Sequence, residues 1–146
     1  MPGRTLKNHG VYLQKLKLYA KACEVKIVYR EDPELGGYCP TRRMVFLDPD
    51  LDESTEVAIL LHELGHQLDD ALHLPGQVHA TSRAYLASYR SKPTRKQKAL
   101  VLACERRAWR NGRAIAKRLR IPLGKWFESE RERALSGYRN LETQNR

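Results

Sequence analysis

Val11, Leu13, Leu16, Leu18, Tyr19 and Ala22 recur loosely at helical spacing, which predicts a first helix over 5–23. The period then changes to two in Val25-Lys26-Ile27-Val28-Tyr29, a short strand. Pro33, Gly36, Gly37 and Pro40 predict a turn-rich connection, followed by a second strand over Met44-Val45-Phe46-Leu47. Ser54 or Thr55 is placed to cap a helix running to about Leu72, with Glu53 and Glu56 near its start, where the helix dipole favours acids. Leu74-Pro75-Gly76 stops that helix, and a short helix is expected over 80–90. After the break Lys92-Pro93-Thr94, a long helix to about Arg120 carries Leu100, Val101, Cys104, Ala108, Ile115 and Leu119 on one side. Ile121-Pro122 ends it, a last helix covers about 123–138, and the tail after Asn140 is expected to fray. Around the short helix the coarse order is α-β-β-α-α-α. Two strands are too few for a doubly wound sheet. The expected fold class is α+β, a short mixed or antiparallel sheet packed on helices.

The chain of 146 residues has the size of one domain, 1–146, with 41% hydrophobic residues for a core and a basic helical part from about 90. No apolar run approaches the ~20 residues of a membrane helix. No apolar stretch follows the basic start Met1 to Lys7, so no secretory signal is expected. Cys23, Cys39 and Cys104 are few, odd in number and far apart, which fits a reducing, cytoplasmic setting better than a disulfide framework. Charge is uneven: residues 1–89 hold 10 Lys+Arg against 12 Asp+Glu, residues 90–146 hold 17 against 5. The whole net charge of +10 therefore lies in the second part, which suggests a polyanion such as nucleic acid, an acidic partner or a membrane surface, against the plainer possibility of solvated arginine-rich helix faces.

The chemistry concentrates in His62-Glu63-Leu64-Gly65-His66. Histidines four apart on a helix lie about 40° apart and one turn up, so two imidazoles can converge on one cation. Zinc accepts neutral imidazole nitrogen at tetrahedral sites. Glu63 points to the side, placed to reach a zinc-activated water and take its proton as general base. Apart from the motif itself, Val57 to Leu68 carries no charged residue, and burying Glu63 with two histidines there is costly unless something binds them. Gly65 sits mid-helix at a cost of about 1 kcal/mol against Ala, which a close approach of another backbone would explain.

A hydrolytic zinc usually has three protein ligands and one water. Glu105, in Ala103-Cys104-Glu105-Arg106-Arg107-Ala108-Trp109, borders the apolar side of the long helix and is the preferred third ligand. His73, His79, Asp69 and Asp70 are the other candidates. His73 would lie roughly 10 Å further along the same helix. His79, expected in a loop, could ligate or support an oxyanion. Asp69 or Asp70 could orient a ligand histidine through its second nitrogen, or be a solvated acidic helix end.

The pairing of Leu61-His62-Glu63-Leu64-Gly65-His66 with Glu105-Arg106-Arg107-Ala108-Trp109 resembles the minimal gluzincins and the ImmA/IrrE-like metallopeptidases, over roughly residues 40–115. The resemblance implies a small zincin-like domain and zinc held by His62, His66 and Glu105. It also implies Glu63 as base, a peptide or protein substrate, and Met44–Leu47 as the sheet edge above the cleft, where a substrate strand could pair. Gluzincins carry an aspartate four residues after the ligand glutamate, where this chain has Trp109. No residue is singled out to support the oxyanion; His79, Tyr89 and Tyr138 are candidates. The metzincin pattern fails, because Asp69 and Asp70 occupy the stretch that would hold its glycine and third histidine. Cys39, in Gly37-Tyr38-Cys39-Pro40, invites comparison with the peptide deformylases or an inhibitory thiolate, but the deformylase flanking pattern is missing. The alternative from another class is a nucleic-acid-binding protein with a structural zinc, supported by the basic segment and the interleaved Trp109, Trp126, Tyr89 and Tyr138. The two combine in a peptidase acting on nucleic-acid-bound proteins.

Overall fold

The computed structural model describes residues 8–31, 36–90 and 93–143, without the side chains of Arg90 and of 139–143. Its elements run α1 (His9–Ala22), β1 (Lys26–Tyr29), β2 (Gly36–Cys39), β3 (Met44–Leu47), α2 (Glu53–Ala71), α3 (Pro75–Arg90), α4 (Arg95–Arg118) and α5 (Lys125–Thr143). The fold is α+β, as the pattern of the chain predicts. Among the described residues no helix is long and apolar enough to cross a membrane.

α2 is the central rod. Every residue from Val57 to Gly65 is buried, because α1, α4, α5 and the sheet pack around it. The sheet order is β1-β3-β2, with β1 parallel and β2 antiparallel to β3. Val45 and Leu47 alternate inward from β3 and are fully buried in the core.

β2 corrects the sequence-based expectation twice. Within the segment read as a turn-rich connection, Gly36–Cys39 form a strand while Pro33 lies outside the described residues, and Met44–Leu47, expected at the edge, lies in the middle with β2 outside it. The misleading signal was Gly36. A Cβ there would stand 2.7 Å from Ile59 Cγ2 and 3.1 Å from the Phe46 carbonyl, so the strand can approach α2 only without a side chain.

The helices differ in detail. α1 buries His9, Leu13, Leu16 and Ala20 and leaves Val11 and Leu18 exposed, so its core face is rotated from the expected one. Asp52, not Ser54 or Thr55, caps α2, its Oδ1 accepting from the Thr55 amide at 2.8 Å. Leu74-Pro75-Gly76 ends α2 but also begins α3, with Pro75 at the first helical position, where its missing N–H costs nothing. Thr94 and Gln97 cap α4 reciprocally. α5 runs beyond the expected end to Thr143, and the tail from 144 lies outside the described residues.

Candidate metal centre

The site forms where α2 crosses α4 at backbone contact. A Cβ on Gly65 would lie 2.0 Å from the Ala108 carbonyl oxygen, and one on Gly112 would lie 2.8 Å from that of Leu61. The close approach inferred from Gly65 is therefore present, with Gly112 as its counterpart. Asn111 Nδ2 donates to the Gly65 carbonyl at 3.2 Å and ties the crossing. His62 and His66 flank Gly65 on α2 and Glu105 lies one turn before Ala108 on α4, so the crossing brings the three side chains together.

His62 Nε2 lies 2.9 Å from Glu105 Oε2, His66 Nε2 lies 3.4 Å from Glu105 Oε1, and the two Nε2 atoms are 3.2 Å apart. Tetrahedral ligands at the usual zinc distances stand roughly 3.3 Å from one another, so these separations need little adjustment to receive an ion. The three residues are a group that could hold a metal ion. Burial opposes charge on Glu105, but the charges and hydrogen bonds of the two histidines outweigh it and hold the carboxyl well below its usual range. Burial likewise opposes a proton on His66, and the charge of Glu105 with the contact to Cys104 more than reverses this, raising it well above an ordinary histidine. A buried carboxylate held ionised against two imidazoles is a cation site in electrostatic terms.

Each histidine is oriented differently. The Trp109 ring stacks on His62 with centroids 4.4 Å apart and planes 23° apart. His62 Nδ1 and Trp109 Nε1 have no hydrogen-bond partner. The position where gluzincins carry an acid thus holds a flat plate that fixes the ring by packing. His66 Nδ1 meets Cys104 Sγ at 3.7 Å, and Cys104 donates to Asp69 Oδ2 at 3.7 Å. Arg107 holds Asp69 through Nε at 2.8 Å and Nη2 at 3.2 Å. Asp69 is buried and acts on His66 through this thiol rather than directly.

A cavity of about 500 Å³ opens on the cluster. α2 lines it with Ile59, His62, Glu63 and His66, β2 with Gly36, Gly37 and Tyr38, and α3 with Val78, Tyr85 and Tyr89. Glu63 is buried, its Oε1 3.8 Å from His62 Nε2. Tyr138 and Asp70 also line the cavity. His79 is exposed on α3, in a helix rather than a loop, and is not part of the lining. His73 Nδ1 contacts the Asp69 carbonyl at 2.6 Å, away from the cluster. Cys39 lies beside Thr41, with Sγ 3.4 Å from its Oγ1, and is outside the lining too.

Sequence reasoning missed Tyr85. Its hydroxyl donates to Glu105 Oε1 at 2.8 Å, and burial followed by the Glu105 charge raises its phenol well above the ordinary value. The only signal was its helical spacing from Val78 and Tyr89, invisible while the helix was expected to begin at 80. Comparisons with protein-family models, curated proteins and solved structures return no significant match.

Proposed function

We propose that the protein is a zinc-dependent metallopeptidase, a reading carried by one observation: the His62, His66 and Glu105 donors converge beside Glu63 at the wall of an open cavity. Two histidines and one glutamate, with a fourth direction facing solvent, are the donor set of hydrolytic zinc sites. A structural site would close with four ligands and leave Glu63 without a task, which weighs against the nucleic-acid-binding reading of the cluster.

When bound, zinc supplies Lewis acidity and makes water acidic near neutral pH. Glu63 takes the proton of the attacking water on its carboxylate and returns it to the leaving amine. Tyr85, kept protonated by burial, gives its one O–H to Glu105 and so orients the carboxylate that would hold the metal. Trp109 and the Cys104–Asp69–Arg107 chain hold the two imidazoles in place. β2 lies at the sheet edge along the cavity and offers its backbone to an extended peptide. Cys23, Cys39 and Cys104 are free thiols, which fits a cytoplasmic protein.

The test is Glu63→Gln. Zinc content and fold are expected to match wild type, while hydrolysis of unstructured protein substrates falls by about 10²–10⁴-fold. Full activity in this variant would remove Glu63 as base.

A further inference from the structure

α4 holds nine Lys and Arg against a single acid, Glu105, and that acid is buried at the cavity side. The basic residues are not scattered. Arg106, Arg110, Arg113 and Lys117 follow one another at intervals of four, three and four. At roughly 100° per residue they fall within a stripe about 60° wide. All four are exposed, and the stripe runs along the face of α4 turned away from α2. α5 is different, because its acids are already matched: Glu128 pairs with Arg113 and Arg131, and Glu130 with Arg133. Arg106, Arg110 and Lys117 have no acidic partner among the described residues.

Arg106, Arg110 and Lys117 have only the Glu128-paired Arg113 among them, and such a row of like charges is a standing repulsion. A helix stabilised only by its own packing gains nothing from it, since like charges one turn apart cost a few tenths of a kcal/mol each. A row of counter-charges of similar spacing reverses the sign. Neighbouring cations on the stripe are about 5–6 Å apart. Phosphates along one strand of a duplex recur at comparable intervals on a rigid backbone. The stripe carries no aromatic side chain, and Trp109 is buried against His62, so the face has nothing on which an unpaired base could stack.

From these features we propose that the outer face of α4 docks on the phosphate backbone of double-stranded DNA, without reading its sequence. The cavity opens between α2 and α3, so the same helix offers Glu105 inward and the cation row outward. A DNA-docked chain keeps its cavity free for a second molecule.

The proposal is independent of the hydrolytic reading, and its test runs in EDTA. Full-length protein is titrated against a labelled 25-base-pair duplex by fluorescence anisotropy from low to moderate salt. Three phosphate contacts, from Arg106, Arg110 and Lys117, predict a log–log salt slope of about −2.7. The variant Arg106→Gln/Arg110→Gln/Lys117→Gln, with wild-type circular dichroism, should flatten that slope toward zero and lose affinity at least tenfold at low salt. A triple change of Lys17, Lys21 and Lys26 to Gln, on the far side of α1 and β1, should leave most of the binding. No binding by wild type at low salt would overturn the proposal. So would an unchanged slope in the α4 variant, tighter binding to single strands than to the duplex, or capture by phosphatidylserine vesicles in place of DNA.

Discussion

Replacing Gly65 with Ala puts one methyl group where α2 and α4 already touch. The new Cβ would stand 2.0 Å from the Ala108 carbonyl oxygen, 2.9 Å from its carbon and 3.1 Å from the Gly112 amide nitrogen. Real Cβ atoms essentially never come within 3.0 Å of such atoms, so the helices must part by about 1 Å. These are backbone atoms of a buried helix, which cannot swing aside as a side chain would. Overpacking of this kind costs about 3 kcal/mol at the upper end of its range, and the helix-propensity gain of Ala over Gly returns about 1 kcal/mol. The net loss is about 2 kcal/mol, or a melting temperature lower by roughly 4–8 °C. The same displacement carries Glu105, one turn before Ala108, away from His62 and His66. Metal ligands tolerate only a few tenths of an ångström, so zinc affinity should fall at least tenfold. Guanidinium unfolding of the metal-free protein measures the first effect, and zinc titration against a competing chelator the second. A Gly65→Ala protein as stable as wild type with equal zinc affinity would show that the crossing does not set the site.

Glu105→Ala should lower zinc from about one per chain to a small fraction by elemental analysis. Tyr85→Phe removes the hydrogen bond to Glu105 and should lower zinc affinity or turnover by about 10–100-fold; iron in place of zinc in wild type would change the assigned chemistry. Arg107→Ala leaves the buried Asp69 carboxylate uncompensated and should destabilise by about 2 kcal/mol in denaturant unfolding. This is below the range for fully buried pairs, because the guanidinium is 32% exposed. Asp52→Ala should cost about 1 kcal/mol at neutral pH. Hydrogen bonds from the Thr55 side chain and amide hold the folded Asp52 carboxyl below its unfolded value. Its contribution is therefore complete above the ordinary carboxylate range and fades as pH falls through the folded value, so wild type and variant should converge in acid unfolding curves.

The grouping of His62, His66 and Glu105 was legible because each combines a fixed helical spacing with an apolar setting, where burying an ionisable group is costly. The long helices were legible for the same reason, since their periods repeat over several turns. β2 was not, because a four-residue edge strand has no period to speak of and its Gly36 serves a close approach to Ile59 that only the fold reveals. α1's face was misjudged because Val11 and Leu18, though apolar, lie outside the i, i+4, i+7 row of His9, Leu13 and Leu16. Tyr85, Trp109 and the thiol link from His66 to Asp69 depend on which helix stands beside which. Spacing within one helix carries no information about that.

α3 packs on α4 and on little else, whereas the ligands sit on two helices clamped together at Gly65 and Gly112. Apart from the Tyr85 hydroxyl bound to Glu105, the His62, His66 and Glu105 cluster and the α3 wall of the cavity are therefore mechanically separate parts. Val78, Leu86 and Tyr89 can be exchanged on α3 to admit a differently shaped guest without disturbing the spacing of the donors. A lineage of such proteins is free to change the shape of the cavity while the His62, His66 and Glu105 cluster stays as it is.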